Sequence, residues 1–471
     1  MIYHHIFEKY AKKDAVYAAI IGAGHFGTAV VTQQLFVKGL SVPIVCDKNL
    51  VSAKSSFLKA GVIEDKIRYS SDPEEMSSLL RQGSYIYTDS VESIMQIPEI
   101  DIICEGTGVP EAAAGHCKMA LDSGKHIAII SKELDSVIGP QLKKMAAEKG
   151  LVYTPVDGDQ HGLLIQMVEW AREIGLTVIT AGKSRDGEFI LDEANNTVSI
   201  AADGITVHES VSVKIAEEDT KYLQMIPEGA SRDYLDKRAE ILKDLPNAGG
   251  FDLCELTIMA NSTGMKPYIP SLTQGTLRIT ELPIAYCSSR NGGIYEDTEG
   301  IIDVHTCLRR ADESGMGGGV FMVVRCDNAY SNFILTTKGQ IPNYDLSTAV
   351  IYRPYHLCGV EVTTSLKSAV LLGLDTGSKE YRQDYDLVRV AARDIEAGEI
   401  FGNDHDSKLT SNIIPSTKYG KDSAVPAHML NGHAARVSIR KGETITYDMV
   451  TEPAQSLLWE LRRLQESGAD S

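Results

Sequence analysis

The residues from 16 to 27 constrain the fold of this chain most, because a short apolar run leads directly into three closely spaced glycines. A helical pattern over 28–38 follows at once, and a second apolar run, 42–46, then ends in Asp47. The glycines are Gly22, Gly24 and Gly27. This order of strand, glycine turn, helix, strand and acid predicts a dinucleotide-binding βαβ unit.

Each residue of the glycine turn has a predicted role. Gly22 permits the tight turn out of the strand, Gly24 lets a pyrophosphate approach the backbone, and Gly27 lets the helix pack against the strand. The start of the helix, which includes His25 and Phe26, offers free N–H groups and the positive end of the helix dipole to the phosphates.

Asp47 follows the first glycine at a spacing that suits hydrogen bonds to the ribose hydroxyls. Its charge would repel a 2′-phosphate, which favours NAD. Lys48 beside it could instead pair with that phosphate and allow NADP. The sequence therefore predicts NAD or NADP as the cofactor and leaves the choice open.

Length and composition limit the classes of protein. A chain of 471 residues is too long for one ordinary core, so two or three domains are expected. The net charge of −18 disfavours nucleic acid and anionic membranes as partners, because both require a basic face. The eight cysteines form no CxxC pair, and no run approaches the ~20 apolar residues of a membrane span. These features predict a cytoplasmic protein.

Apolar runs alternate with helical patterns along residues 1–160, which predicts a dinucleotide-binding domain with a doubly wound parallel sheet, the Rossmann arrangement. Ligands of such sheets bind outside the carboxyl ends of the strands. Polar clusters follow three predicted strands at that edge: Glu105, Gly106, Thr107 and Gly108 after the first, Lys132 after the second, and Asp157, Asp159 and His161 after the third.

The rest of the chain has a different texture. Residues 161–387 predict an α+β domain for substrate binding and dimerisation, and 388–450 predict a small β-rich domain. The segments 388–399 and 437–446 within it resemble one another, and 451–471 form an amphipathic helix and a tail. In the middle domain we predict strands at 206–213 and 319–324 and helices at 230–245, 251–261 and 365–374.

Several segments resemble known families. The segments 21–27, 104–108 and 130–133 resemble the nucleotide domain of homoserine dehydrogenases, and residues 388–450 resemble a SAF module, named for its likeness to antifreeze protein. Together with three central motifs, nearly the whole chain resembles the 1-deoxyxylulose-5-phosphate reductoisomerase-like family. The central motifs are 181–183 (Ala-Gly-Lys), 260–264 (Ala-Asn-Ser-Thr-Gly) and 352–357 (Tyr-Arg-Pro-Tyr-His-Leu).

This resemblance implies an NAD(P)H-dependent isomeroreductase that acts as a homodimer on a small ketose phosphate and yields a rearranged or branched polyol phosphate. The chain departs from the expected pattern at one point. Ser184 stands where a glycine would follow Ala-Gly-Lys, and Arg185 comes next, so the substrate specificity is expected to differ if this loop binds substrate.

An isomeroreductase must polarise a carbonyl, accept a hydroxyl proton, stabilise an alkoxide and hold a phosphate. Lys132 is expected beside the nicotinamide, and the alternative is a surface lysine that opens a helix. Lys183 is expected to bind phosphate or protonate the alkoxide, and the alternative is a solvated loop residue.

Asp157 and Asp159 are paired carboxylates beside His161. They are candidates to accept a proton or to hold a divalent cation, Mg²⁺ or Mn²⁺. The alternative is that they cap the helix that follows. Two carboxylates alone do not establish a metal site, and none is predicted.

The remaining substrate-binding candidates flank the central motifs. Asn261 and Thr263 either bind substrate hydroxyls or end a helix before Gly264. Arg353 and His356 suit a phosphate or carboxylate, and the alternative is a packed turn. The full predicted set is Lys183, Ser184, Arg185, Asn261, Thr263, Arg353 and His356.

Two other functions compete with the isomeroreductase. One is a homoserine-dehydrogenase-like oxidoreductase, against which the SAF-like segment argues. The other is a non-catalytic protein that senses NAD(P) and binds a sugar. Turnover of NAD(P)H with a panel of phosphoketoses distinguishes the enzyme from the sensor.

Overall fold

The computed structural model describes residues 3–11, 13–202, 207–246 and 251–467. The chain divides into two compact units. The first unit contains Met1–Gly162, Leu357–Asn403 and Ser416–Ser471, and the second contains Leu163–His356 and Asp404–Pro415.

A parallel sheet of seven strands forms the first unit. Its strands are β1 (Val16–Ile21), β2 (Leu40–Cys46), β3 (Ile67–Tyr69), β4 (Tyr85–Thr88), β5 (Ile102–Glu105), β6 (His126–Ile129) and β7 (Tyr153–Pro155). Their order in the sheet is β3-β4-β2-β1-β5-β6-β7. The predicted doubly wound sheet is therefore confirmed. The direction of winding reverses between β1 and β5, which are paired neighbours, and a crevice for ligands is expected at their carboxyl ends.

Helices precede and connect these strands. They are α1 (Tyr3–Tyr10), α2 (His25–Gln33), α3 (Leu50–Lys59), α4 (Pro73–Arg81), α5 (Val91–Met95), α6 (Pro110–Asp122) and α7 (Lys132–Glu148). Helix α8 (Gln160–Glu173) follows β7 and belongs to the second unit from Leu163 onward. The β1 side chains Val16, Ala18 and Ile20 are fully buried in the core of the first unit. Helix α7 has a non-helical residue, Ile138, two positions before Pro140, which lacks the N–H that a regular helix needs.

A mixed sheet forms the second unit. Its strands are β8 (Thr177–Ser184), β9 (Phe189–Asp192), β10 (Thr197–Ile200), β11 (Val211–Lys214), β12 (Lys266–Pro267), β13 (Gly275–Leu277), β14 (Ile301–Arg310), β15 (Val320–Arg325), β16 (Ile341–Pro342) and β17 (Ala349–Arg353). The main path runs β11-β10-β9-β14-β8-β15-β17-β16, and β12 and β13 both pair with β14. The strand predicted at 206–213 agrees only in part with β11, because residues 207–210 are not in a strand and residue 206 lies outside the described residues.

The helices of the second unit are α9 (Ser231–Ile241), α10 (Phe251–Thr263), α11 (Leu282–Ala285) and α12 (Ala329–Thr337). In α10, every residue from Asp252 to Thr263 is buried. A fully buried helix is normally apolar on all sides, yet this one carries Asp252 and Glu255 in its first turns. Buried charges require ionic partners, and these two have them.

The first unit continues after residue 357 with α13 (Thr363–Lys367), which leads into a π-helical turn at Ser368–Leu372, and with β18 (Tyr385–Ala391). Strand β19 (Leu409–Pro415) belongs to the second unit, and α14 (Leu457–Ser467) packs on α6 and α7 of the first. Short 3₁₀ turns occur at Gln34–Phe36, Glu64–Lys66, Glu217–Leu223, Ile279–Glu281, Ser289–Asn291, Ala427–Met429 and Tyr447–Met449.

The two similar segments of the β-rich region face each other. Ile395 and Ile439 exchange both backbone hydrogen bonds, each at 2.8 Å. Their turns also match, because Gly398 and Gly442 have φ values of 90° and 88°. In each turn a glutamate accepts a backbone N–H three residues before it: Glu399 from Glu396 at 2.7 Å and Glu443 from Arg440 at 2.8 Å. The two halves thus share one local geometry.

Among the described residues, none of the helices has the length and apolar character that crossing a bilayer requires.

Candidate functional site

The glycine turn after β1 has the geometry that its spacing predicts. Gly22 has a φ of +104°, and a Cβ there would lie 2.4 Å from the carbonyl oxygen of Gly106. A Cβ on Gly27 would lie 2.3 Å from the carbonyl oxygen of Gly22. Gly24 differs from both, because a Cβ there would meet nothing within 4 Å. It is exposed and caps α2, whose first residues are His25 and Phe26, and the first N–H groups of a helix have no partner within the helix.

Asp47 lies at the carboxyl end of β2, next to this turn. Its Oδ2 accepts a hydrogen bond from the backbone N–H of Ala23 at 2.7 Å, and its Oδ1 accepts one from Asn49 at 2.8 Å. The half-buried carboxylate therefore braces the glycine turn. It also keeps lone pairs for a further donor, since an ionised carboxylate has about four acceptor sites.

Glu105 shapes the loop after β5. The side chain is fully buried, and its Oε1 accepts hydrogen bonds from the Thr107 hydroxyl at 2.6 Å and the Thr107 backbone N–H at 3.3 Å. His116 Nδ1 lies 3.2 Å from the same oxygen. The backbone N–H of Gly108 donates to Ser131 Oγ at 2.9 Å, which ties this loop to the start of α7. Glu105 and Thr107 thus fix the conformation of the loop Gly106–Gly108, and the backbone N–H of Gly106 donates to the carbonyl oxygen of Ile21 at 2.8 Å, next to the glycine turn.

Lys132 is the first residue of α7 and follows β6. Its side chain is half-buried. Since β2, β1, β5 and β6 are consecutive in the sheet, the predicted cofactor-binding residues at their carboxyl ends share one edge. These residues are Gly22, Gly24, His25, Phe26, Gly27, Asp47, Glu105, Gly106, Thr107, Gly108 and Lys132.

Asp157 and Asp159 follow β7 and are each 5% exposed. Asp157 accepts a hydrogen bond from the Thr364 hydroxyl, and its backbone N–H donates to Ser365 Oγ at 2.8 Å. Asp159 immediately precedes α8, and its Oδ1 accepts from the backbone N–H of Gln160, the first residue of that helix, at 2.9 Å. A capping carboxylate accepts from the second or third residue of its helix, so the capping interpretation of Asp159 stays a prediction. Its carboxylate also lies 3.9 Å from Nδ1 of the buried His161.

Lys183 lies near the end of β8 in the second unit and is 1% exposed. Its Nζ is 2.9 Å from Asp252 Oδ1 and also pairs with Glu255 Oε2. The interpretation of Lys183 as a solvated loop residue is therefore wrong, because the side chain is buried between two carboxylates. Lys183 lies on strand β8, and both acids lie on helix α10.

Arg185 is also buried, at 2% exposure. Its guanidinium donates to Asp252 Oδ2 at 3.2 Å, to the Thr306 hydroxyl at 3.2 Å and to Gln274 Oε1 at 2.5 Å. Ser184, between the two cations, is fully buried in β8. Arg185 is thus held by protein side chains on three sides, which suits a positioning role.

Asp186 and His356 both lie close to Gly318. A Cβ on Gly318 would be 2.7 Å from Asp186 Oδ1 and 2.8 Å from the His356 ring. His356 Nδ1 is 2.6 Å from the Gly318 carbonyl oxygen. Burial raises the pKa of Asp186, and the charges of Lys183 and His356 oppose that rise. Asp186 is thus a further titratable carboxyl group, and the charge of Lys183 acts on its pKa.

The other predicted substrate residues are placed differently. The guanidinium of Arg353 lies over the Tyr355 ring, with Cζ 4.6 Å from its centroid. The Thr263 hydroxyl donates to the carbonyl oxygen of Met259 at 2.7 Å, and Gly264 has a left-handed φ of 70°, which is how a helix ends. With a rise of ~1.5 Å per residue, Asn261 lies about 9 Å along α10 from Glu255, so it is apart from the Lys183 cluster.

Sequence reasoning missed Asp252, Glu255, Asp186 and Gln274. The pair Asp252 and Glu255 carried a signal, since two acids three residues apart interrupt an otherwise apolar helix pattern. Gln274 carried none, because a lone glutamine in a loop is unremarkable.

Comparison with curated protein sequences gives no match. Among solved structures, myo-inositol dehydrogenase from Lactobacillus casei matches with 16% identity over 39% of this chain and 49% of that chain, at a TM-score of 0.28. UDP-N-acetylglucosamine 3-dehydrogenase from Acidithiobacillus ferrooxidans matches with 15% identity over 38% of this chain and 49% of that chain, at a TM-score of 0.26. Homoserine dehydrogenase from S. aureus matches with 19% identity over 34% of this chain and 40% of that chain, at a TM-score of 0.21. The chain spans half or less of the length of each of these proteins.

A family model described as the catalytic domain of oxidoreductase DRL matches residues 247–362, about a quarter of the chain. The matched segment contains Asp252, Glu255, Gln274 and His356 of the second unit. The central part of this chain is therefore similar to the catalytic domain of an oxidoreductase.

Proposed function

We propose that this protein is an NAD(P)-dependent oxidoreductase. The observation that carries the proposal is the glycine turn at the carboxyl end of β1, where the exposed Gly24 caps α2 and a Cβ on it would meet no atom within 4 Å. A pyrophosphate fits such a place because the backbone donors and the helix dipole favour an anion. The match of residues 247–362 to an oxidoreductase catalytic domain supports the same class of reaction.

Asp47 is assigned to the ribose. The lone pairs that Ala23 and Asn49 leave unused can accept from a ribose hydroxyl. Its charge favours NAD over NADP, and the exposed Lys48 beside it is the residue that would offset this preference. Dissociation constants for NADH and NADPH, measured by fluorescence titration of the wild type and of Asp47→Ala, test this assignment. A ratio of the two constants that does not change in Asp47→Ala contradicts it.

When bound, the nicotinamide supplies or removes a hydride at a carbon of the substrate. We assign to Lys183 the proton that the resulting alkoxide requires, because its ammonium is buried and held between Asp252 and Glu255. Lys132, at the edge that carries the glycine turn, is assigned to the alkoxide or the nicotinamide amide.

The finer proposal is an isomeroreductase. A carboxylate takes the hydroxyl proton of an α-hydroxyketone while a carbon–carbon bond breaks at the hydroxyl-bearing carbon and forms at the neighbouring carbonyl carbon, and that proton then passes to the former carbonyl oxygen. The hydroxyl-bearing carbon becomes an aldehyde, which is reduced by hydride transfer to its carbon and protonation of its oxygen. We assign the proton removal to Asp159, with Asp157 beside it. Their carboxylates are also ligands that Mg²⁺ or Mn²⁺ accepts, so activity is to be measured after EDTA treatment and after each metal is restored.

The proposed substrate is a small phosphorylated ketose or polyol. Arg353 and His356 are assigned to its phosphate, because the guanidinium of Arg185 is already anchored by Asp252, Thr306 and Gln274. We also propose a homodimer, since α12 exposes Tyr330 and Phe333 at 72% and 58%.

Steady-state oxidation of NADH and NADPH with a panel of phosphoketoses, and with the unphosphorylated sugars as the matched panel, tests the proposal. Turnover restricted to phosphorylated ketoses supports the isomeroreductase. Turnover of an amino-acid semialdehyde instead favours the homoserine-dehydrogenase-like alternative. Tight cofactor binding without turnover of any substrate contradicts the enzyme and favours the NAD(P)-sensing alternative.

A further inference from the structure

The amide of Gln274 reaches Arg185 from a backbone conformation that side-chain-bearing residues rarely adopt. Gln274 has a φ of 55°, and Leu272, two residues earlier, has a φ of 60°. Left-handed conformations of residues other than glycine persist only where the surroundings enforce them, and they are concentrated at functional sites. This turn, Leu272–Gln274, therefore has a specific support.

The support is Asp303, a fully buried residue of β14. Its Oδ1 accepts from the backbone N–H groups of Thr273 at 3.1 Å and Gln274 at 3.0 Å, and its Oδ2 accepts from the Tyr295 hydroxyl at 3.1 Å. Gly275, the next residue, begins β13 and donates its N–H to the Tyr286 hydroxyl at 2.9 Å. The Asp303 carboxylate thus binds the backbone N–H groups of the turn, and strand β13 fixes the residue that follows it.

The held turn fixes the Gln274 side chain. Its Nε2 donates to the carbonyl oxygen of Ser271 at 2.5 Å, and its Oε1 accepts from Arg185 at 2.5 Å. The amide thus has both ends engaged, and its oxygen is aimed at the guanidinium.

A continuous path of contacts leads from this amide to the ammonium of Lys183. Arg185 donates to Oδ2 of Asp252, and Oδ1 of the same carboxylate lies 2.9 Å from Lys183 Nζ. A rotation of the guanidinium would therefore displace the carboxylate that holds the ammonium.

We propose that Gln274 is a positioning residue for Lys183, acting through Arg185 and Asp252, and that the left-handed turn at Leu272–Gln274 is retained for this purpose. The inference rests on the proposed role of Lys183 as a proton donor. A merely structural turn would tolerate a relaxed backbone with no change in chemistry, and this difference makes the proposal testable.

Gln274→Gly is the first variant. Glycine adopts a positive φ without strain, so the variant should unfold at the same or a higher temperature than the wild type. Loss of the amide oxygen should lower kcat about 10- to 100-fold with little change in KM, because small misplacements of a catalytic group cost this much. The pH profile of kcat should shift as well, since the surroundings of the proton donor change.

Two conservative variants distinguish the effect of side-chain length from the effect of the backbone conformation at position 274. Gln274→Asn keeps the amide and tolerates the left-handed conformation, but it is one methylene shorter, so kcat should fall as it does in the glycine variant. Gln274→Glu keeps the length and the acceptor oxygen for Arg185 but loses the Nε2 donor to Ser271, so kcat should fall less than in the glycine and asparagine variants. Leu346→Gly is the control, because Leu346 is an exposed left-handed residue (φ 58°) and its replacement should leave kcat unchanged.

A second readout does not depend on turnover. Acetylation of Lys183 by an amine reagent is followed by mass spectrometry, with the exposed Lys237 as the internal reference. Lys183 should label several-fold faster in Gln274→Gly and Gln274→Asn than in the wild type or Gln274→Glu. Wild-type values of kcat, pH profile and labelling in Gln274→Gly overturn the positioning role. Absence of wild-type turnover would instead defeat the proposed function, and the labelling alone would then decide the positioning role.

Discussion

The ammonium nitrogen of Lys183 lies 2.9 Å from Oδ1 of Asp252, and both side chains are 1% exposed. Removing two charges from water carries a large desolvation cost, which only their mutual attraction and further hydrogen bonds offset. Glu255 and Arg185 complete the arrangement, so two cations face two carboxylates in the interior of the second unit. A cluster of this kind gives little net stability when intact, and it is costly to break.

Replacement of Lys183 by methionine should therefore destabilise the protein. The variant leaves Asp252 and Glu255 with one cation instead of two, and breaking a buried pair typically costs about 3–5 kcal/mol. Urea denaturation measures the loss. Lys237→Met is the matched control, because Lys237 pairs with Glu240 on the exposed face of α9 and its loss should not be measurable. Equal stability of the two variants would contradict the buried pairing.

Replacement of Lys132 by alanine should abolish most turnover and leave the nucleotide affinity largely intact. A cation that stabilises charge developing in the transition state is worth ~10²–10³ in kcat. Initial rates and a fluorescence titration with NAD(P)H give the two quantities. Lys144→Ala on the same helix is the control, since Lys144 is exposed. Unchanged turnover in Lys132→Ala would remove this residue from the reaction.

Substitutions of Gly22 and Gly24 should have different effects, one on the stability of the fold and the other on cofactor binding. Gly24→Ala meets no atom within 4 Å, so the melting temperature should stay constant while the dissociation constant for NAD(P)H rises at least about tenfold, by roughly 1.4 kcal/mol. Gly22→Ala meets the Gly106 carbonyl and has a positive φ, so it should destabilise the fold itself. Gly115→Ala in α6, also free of contacts, controls for the added methyl group. Normal affinity in Gly24→Ala would argue against a pyrophosphate at this turn.

His305 should make the protein sensitive to acid. Burial lowers the pKa of His305 to about 3, whereas an unfolded histidine titrates near a pKa of about 6.5. Between these values the unfolded chain binds one proton more than the native chain does. Stability should therefore fall by about 1.4 kcal/mol per pH unit as the pH drops from about 6.5 to about 3.

The slope of unfolding free energy against pH in His305→Gln tests this expectation, whatever the stability of the variant at pH 7. Between about pH 6.5 and about pH 3 the slope should be smaller than that of the wild type by the contribution of one proton, about 1.4 kcal/mol per pH unit. His208→Gln, at an exposed position, should keep the wild-type slope. A wild-type slope in His305→Gln would show that other groups cause the acid sensitivity.

The sheet edge that carries the predicted cofactor-binding residues was predictable from the sequence, because the patterns that specify it are local. The spacing of Gly22, Gly24 and Gly27 is set by one turn, and Asp47 follows from the length of a single βαβ unit. Strand periodicity then placed Glu105 and Lys132 at the ends of neighbouring strands, where the sheet order confirms them. The helix predicted at 251–261 was also found, as α10.

The surroundings of Lys183 were not predictable in the same way. Its partner Glu255 is 72 positions away, and Gln274 is 89 positions from Arg185. No local pattern encodes such pairs, because they depend on how β8, α10 and the turn at Leu272–Gln274 pack. The strained φ of Gln274 is likewise invisible in a sequence, since glutamine has no preference for that conformation.

The sequence by itself determined the parallel sheet and the glycine turn after its first strand, since backbone sterics act over a few residues and leave a readable glycine pattern. Only the tertiary structure decided that Lys183 is a buried cation held by Asp252 and Glu255 and braced through Arg185 by Gln274. The physical reason is that a charge can stay in the interior only where distant segments bring opposite charges and donors to it.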